Sequence, residues 1–285
     1  MNDNMNKTTI HKVVRRGAEH SDFCEDFLST YESEDFIIGA IFDGCSGGIH
    51  SHFASALMGK VFNNVTKQYL GGIESSLTPK GVANFILFEF AQKLFQTQTY
   101  LKMSDLELQS TVVLMVYEKQ SSDAFVIAVG DGFISVDGKN ITIENTRYSD
   151  EERGDKLVLG ENRPDYIIGD LKDIQTPELF NAWFEGKKDS YFFKDVTDIT
   201  ITSDGIDTFS KVKTPKKDED IDIIDFLVKD TWLQELSVKT GDQTLMMKRK
   251  LNLLNNVYGK AHKDDLSIIR IAVEKVNNQV SITQN

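Results

Sequence analysis

Residues 36–48 read "FIIGAIFDGCSGG". The apolar, β-rich run up to Phe42 is too short for an ordinary helix and is bounded by turn formers, so it predicts a buried strand. The strand stops on Asp43, followed at once by Gly44, Cys45, Ser46 and two more glycines. Asp and Gly favour turns, and glycine tolerates positive φ, so a tight turn accounts for this stretch taken alone.

The pattern recurs, however. "DVTDITITSDGIDTF" (195–209) is again a β-rich run that ends on Asp-Gly, at Asp204. "DDLSIIRIAV" (264–273) sets Asp264 and Asp265 at the start of a last strand, and "CEDF" (24–27) carries Glu25 and Asp26. Each acidic group lies where an apolar strand pattern begins or ends. In a layered sandwich such positions converge on one rim of the sheets.

The segments between these points are mixed. Beyond the glycines, Ile49, Phe53, Leu57, Val61, Val65 and Tyr69 recur at four-residue steps, flanked by Ala54, Met58 and Phe62, which predicts an amphipathic helix. Pro79 stands near the start of a second helical pattern through "VANFILFEFAQKLF". "TVVLMVY" (111–117), "AFVIAVG" (124–130) and the "DG"-centred pair in "DGFISVDGKNITI" predict hairpins, and residues 111–143 read as one meander. Residues 146–190 show no period, leaving strands, a short helix around "PELFNAWF" and loop all open. Two further helices are expected in "EDIDIIDFLVKDTWLQEL" and "QTLMMKRKLNLLNNVY", and the tail after Val273 is polar.

The totals narrow the function. At 285 residues with 40% hydrophobic content, the chain can close around one core, so one domain over 1–285 is expected, with its core about 12–274 and polar tails. Forty-four acidic against 32 basic residues give a net charge of −12, which argues against nucleic acid or anionic lipid as a partner. The two cysteines show neither zinc spacing nor a disulfide framework, which suits a reducing cytoplasm. No segment approaches the roughly 18 apolar residues of a membrane span. Carboxylates gathered at a rim repel one another and favour their protonated forms unless a cation compensates. Oxygen ligands without paired His or Cys point to Mg²⁺ or Mn²⁺ rather than Zn²⁺. No EF-hand loop is present to favour Ca²⁺.

The series "CEDF", "FDGCSGG", "STVVLMVY", "VIAVGDGFISV", "ITSDGIDTF" and "DDLSIIRI" resembles, in order and over about residues 15–273, the metal-dependent type-2C serine/threonine protein phosphatases, in a divergent prokaryotic-like branch. Their usual forms are an amino-terminal "ED", then "DGHGG", "GSTA", "GDSR", "SDG" and "DN". The resemblance implies an α+β fold, a four-layer α-β-β-α sandwich of two antiparallel sheets flanked by helices. It also implies a binuclear Mn²⁺ or Mg²⁺ centre, with a possible third ion, at one edge. Asp43 matches the bridging ligand and the Gly44 carbonyl a backbone ligand. Asp204 and Asp264 match the other carboxylates of the first metal, so that Asp43, Asp204 and Asp264 carry the catalysis. Glu25 matches the residue serving the second metal, and Asp131 the position that helps hold a third ion with Asp204. Asp26 matches a supporting group behind the ligands.

Three departures accompany the match. Cys45 replaces the family's "DGH" histidine, a candidate acid for the leaving alcohol, and a thiol with a pKa of about 8.5 relays protons less well at neutral pH. His50 and His52 are nearby alternatives. "GDGF" stands for "GDSR", and Ser21 stands where the usual phosphate-binding arginine would be, leaving Arg15, Arg16 or His20 to supply that charge. The implied activity is hydrolysis of a phosphorylated protein substrate at serine or threonine by a metal-activated water. The alternative is a catalytically silent phosphatase-like module that binds a protein partner.

Overall fold

The computed structural model describes residues 7–20, 22–45, 50–69, 77–143, 176–186, 189–229 and 245–274. In chain order, these form β1 (Lys7–Arg15), β2 (Asp26–Glu32), β3 (Phe36–Asp43), α1 (Ser51–Tyr69), α2 (Pro79–Leu101), β4 (Val112–Glu118), β5 (Ala124–Val129), β6 (Gly132–Val136) and β7 (Lys139–Ile143). There follow α3 (Pro177–Gly186), β8 (Ser190–Phe193), β9 (Asp198–Thr202), β10 (Phe209–Lys211), α4 (Ile223–Val228), α5 (Met246–Asn256), β11 (Lys260–His262) and β12 (Leu266–Glu274).

Two five-stranded antiparallel sheets result, ordered β2-β3-β4-β5-β8 and β1-β12-β9-β6-β7, with β10 and β11 as a small separate ribbon. The period-2 alternation of side chains explains why the central strands read as unbroken apolar runs. In β4, Val112, Leu114 and Val116 face α1, α2 and α3, whereas Val113, Met115 and Tyr117 face the other sheet. On that sheet Ile199, Ile201, Ile269 and Ile271 return the contact, and Phe133, Leu266 and Ile268 turn outward onto α4 and α5. The architecture is therefore the expected four-layer α-β-β-α sandwich.

Several expectations change in detail. The meander expected over 111–143 divides between the sheets: β4 pairs with β5 in one, and β6 pairs with β7 and β9 in the other. The crossing is made at Gly130, whose φ of 101° few other residues adopt, and at Asp131 beside it. Helix α1 buries Ala54, Met58 and Phe62, expected as its flank, together with Val65 of the expected row, while Phe53 of that row is 42% exposed. Strand β1 starts at Lys7, inside the expected polar tail. Neither β1 nor β2 is among the expected strands. The helix at "PELFNAWF" is present as α3. Of 219–236, α4 covers only Ile223–Val228, and positions 230–236 lie outside the described residues, as do 146–175 and 187–188 of the unperiodic stretch. Among the described residues, no helix is long and apolar enough to cross a membrane.

Candidate metal centre

The first sheet delivers a carboxylate pair directly. Asp26 opens β2 and Asp43 closes β3, and the two are cross-strand partners. The second sheet delivers Asp204 just past β9 and Asp264 just before β12, while Asp131 sits in the crossing between β5 and β6. These groups reach one another electrostatically. Burial first, then the charges of Asp26, Asp204 and Asp264, hold the Asp43 carboxyl well above the usual carboxylate range. Burial also pushes Asp204 up to about 6, with Asp131 and Asp264 adding to it. Asp131 is raised by burial and then by Asp264, against its own backbone N–H.

Asp26 is the deepest member. Its Oδ2 accepts from the Ser203 hydroxyl at 2.7 Å, and Ser203 Oγ in turn accepts from the Ser267 N–H at 3.0 Å. Burial drives its pKa to about 7 against those hydroxyl contacts, with the Asp265 charge reinforcing the rise. Oδ1 of Asp26 and Oδ1 of Asp204 are buried with no hydrogen-bond partner among the described residues. The Asp43 carboxyl lies beside both.

The neighbouring acid, Asp265, has a different task. Its carboxylate is 1% exposed and accepts from the Gly17 N–H at 2.6 Å, from the Glu25 N–H and from His20 Nδ1 at 2.8 Å. It thereby anchors the β1–β2 connection that carries Glu25. Gly44 N–H donates to the Glu25 carbonyl at 3.0 Å, which pins Glu25 beside the end of β3. His20 also sets Nε2 3.3 Å from Asp264 Oδ1. Burial alone lowers its pKa, but the hydrogen bond to Asp265 and the charges of Asp265, Asp264 and Glu25 outweigh that and raise it.

The glycines after the acids have a packing cause. A Cβ on Gly205 would stand 1.8 Å from the Asp265 carbonyl oxygen, and one on Gly44 would stand 2.2 Å from the Ser51 carbonyl oxygen. Thr208 ties the same two turns together: its hydroxyl donates to the Gly205 carbonyl at 2.8 Å and accepts from the Lys263 and Asp264 N–H groups at 3.2 Å. Asp-Gly at these strand ends thus marks where one sheet's terminus is pressed against another backbone.

The oxygen-only donors and the orphaned buried oxygens of Asp26 and Asp204 fit a hard divalent cation. Among the described residues, no three His, Cys, Asp or Glu side chains form a finished coordination shell. The carboxylates are near enough to shift one another's protonation but do not converge on one point.

Of the other expected residues, Arg15 Nη1 donates to Asn252 Oδ1 on α5 at 3.0 Å, and Arg16 Nη1 to the Asp22 carbonyl at 3.3 Å. His20 touches the acidic group. His52 stacks on Phe23 with centroids 4.1 Å apart, and His50 is exposed with φ 71°. Cys45 donates its N–H to the Gln109 carbonyl at 3.1 Å, and residues 46–49 lie outside the described residues. The Cys24 thiol is pushed up to about 12 by burial first and by Asp265 next, which rules it out as a nucleophile. The anchoring by Asp265, Ser203 and Thr208 is not foreseen from sequence, where the "DD" pair gives no sign of which acid turns inward.

No protein-family profile matches the chain, and no curated protein matches it. Solved structures do. The serine/threonine phosphatase of S. agalactiae is 12% identical, with 94% of this chain and 100% of that one covered and a TM-score of 0.54. The serine/threonine phosphatase PstP/Ppp of Mycobacterium tuberculosis is 12% identical, with 94% and 99% covered and a TM-score of 0.50. A Bacillus subtilis chain holding the PP2C phosphatase domain and a fragment of the regulatory domain of SpoIIE is 15% identical, with a TM-score of 0.47; this chain spans 64% of its length. The fold is that of the type-2C phosphatases.

Proposed function

We propose that the chain is a metal-dependent phosphoprotein phosphatase acting on phosphoserine or phosphothreonine. The observation that carries the reading is the rim itself: Asp26 and Asp43 from one sheet, Asp204 and Asp264 from the other and Asp131 from the crossing between them shift one another's protonation, with two buried carboxyl oxygens unpartnered. In this reading Asp43, the Gly44 carbonyl, Asp204 and Asp264 would hold the first of two Mn²⁺ or Mg²⁺ ions, Glu25 would serve the second, and Asp131 with Asp204 would help hold a third. Such ions supply Lewis acidity to the phosphoryl oxygens and a water nucleophile at neutral pH. The chain's own residues do the positioning. Asp26, fixed by Ser203, orients Asp43 from behind. Asp265 holds the segment bearing Glu25 in place, and His20 steadies Asp264. The two free cysteines suit the cytoplasm.

The test is turnover of para-nitrophenyl phosphate and a phosphothreonine peptide with Mn²⁺, Mg²⁺ or chelator, beside Asp204→Ala. Metal-dependent hydrolysis that falls below about one hundredth in Asp204→Ala is expected, a larger loss than removing a group behind the ligands causes. A folded protein with no turnover in either metal refutes the enzyme reading. It would leave the catalytically silent phosphatase-like module that binds a protein partner, which Cys45 at the histidine position and the absence of an arginine at Ser21 favour.

A further inference from the structure

A pocket of about 310 Å³ opens between the end of β1, the β10–β11 ribbon and α5, a volume within the usual range of ligand sites. In a chain of net charge −12 its walls carry Arg15, Arg16 and Lys260, beside His20 and a His262 whose pKa burial lowers. Among the described residues, no Asp or Glu lines it, and none of the candidate metal ligands does. It is thus separate from the carboxylate rim yet shares a wall with it, since Gly17 and His20 line the pocket and both bind Asp265.

Two of these cations, Arg15 and Lys260, are weakly neutralised. The hydrogen bond from Arg15 Nη1 goes to a neutral amide, Asn252. Lys260 Nζ donates to the Ile221 carbonyl at 3.2 Å, and its acidic neighbour Asp220 is 3.7 Å away and fully exposed. An exposed pair of that kind contributes little. Leu251 and Phe209 are the larger apolar residues of a lining that is more polar than apolar, and Phe209 packs edge-on against His262 at 5.4 Å.

We propose that this pocket binds an acidic side chain of the phosphoprotein substrate, a glutamate, an aspartate or a second phosphorylated residue, while the scissile phosphate sits at the carboxylate rim. The proposal rests on the phosphatase reading for its substrate, but the pocket itself needs neither metal nor turnover. It gives Arg15 and Arg16 a task the metal centre does not, and it adds Lys260 and His262 to the recognition surface.

Binding of labelled peptides to the full chain in chelator tests it directly. An unphosphorylated peptide with glutamates on both sides of a threonine is compared with its all-glutamine counterpart, and inorganic phosphate is added as competitor. The acidic peptide is expected to bind at least about tenfold tighter, the worth of one charge-assisted hydrogen bond, with the difference shrinking as salt rises. Lys260→Gln should erase most of that preference and Lys260→Arg should keep it, with melting temperature reporting that both are folded. Equal binding of the two peptides, or a preference that survives in folded Lys260→Gln, overturns the proposal. Phosphate binding without peptide preference makes the pocket a free-anion site and overturns it too. If peptide preference holds while metal-dependent turnover is absent, only the phosphatase reading falls.

Discussion

Removing divalent ions should make the folded protein less stable as pH rises, opposite to the acid-side loss seen when carboxylates are ion-paired. Asp26 titrates at about 7 and Asp204 at about 6, both above an ordinary value of 3.8. Between the ordinary and raised values the folded chain holds more protons than the unfolded chain. Stability is then fully present below about pH 4 and is lost as pH climbs through the raised values. From about pH 5.5 to about pH 8, Asp26 alone accounts for about 2 kcal/mol and Asp204 for under about 1 kcal/mol, at about 1.4 kcal/mol per pH unit. For a chain of this size that corresponds to a fall of about 5 °C in melting temperature. Thermal and urea unfolding in chelator across that window measures it. Saturating Mn²⁺ should restore stability chiefly at the alkaline end, by about 2.7 kcal/mol at a hundredfold excess over the dissociation constant. A chelated protein whose stability stays level or climbs over this window would refute the account of the rim as a set of compressed, partner-starved carboxylates.

Gly205→Ala should cost about 3 kcal/mol or more, since the new methyl meets the Asp265 backbone at 1.8 Å and neither segment is a flexible side chain. Urea titration measures the loss, and a cost under about 0.5 kcal/mol would show that the two turns are not pressed together. Asp198→Ala removes the carboxylate that meets Arg270 at 3.0 and 3.1 Å; Arg270 is 2% exposed, so about 3 kcal/mol is expected from stranding its charge. The double variant Asp198→Ala with Arg270→Met should recover part of that loss, and failure to recover any would count against charge stranding as the cause.

The parts of this chain that were legible in its sequence share a physical property, and so do the parts that were not. Strands β3, β4, β5, β9 and β12 lie inside their sheets, covered on both faces, so they read as apolar runs with abrupt ends. Strands β1 and β2 are edge strands. Their "KTTIHKVVR" and "DFLSTYE" carry half a pattern at most, as edges that must face water do. The division of the expected meander was not legible because "GFISV" packs equally well in either sheet; only the backbone at Gly130 decides.

The same property explains why the acidic groups were found and their partners missed. A strand buried on both faces has no interior position where a carboxylate can meet water or an ion, so acidic chemistry in such a sandwich is confined to strand ends, where the sequence shows it against an apolar background. Asp43 and Asp204 stand out for that reason. Asp265, Ser203 and Thr208 act through neighbours brought from other strands, and Lys260 and His262 face Arg15 across 245 and 247 positions of chain, 260 − 15 and 262 − 15. Spacing along one chain does not encode such pairings. The rim therefore draws its carboxylates from both sheets at once, and a cation held there would join the two inner layers of the sandwich at the one edge where their like charges push them apart.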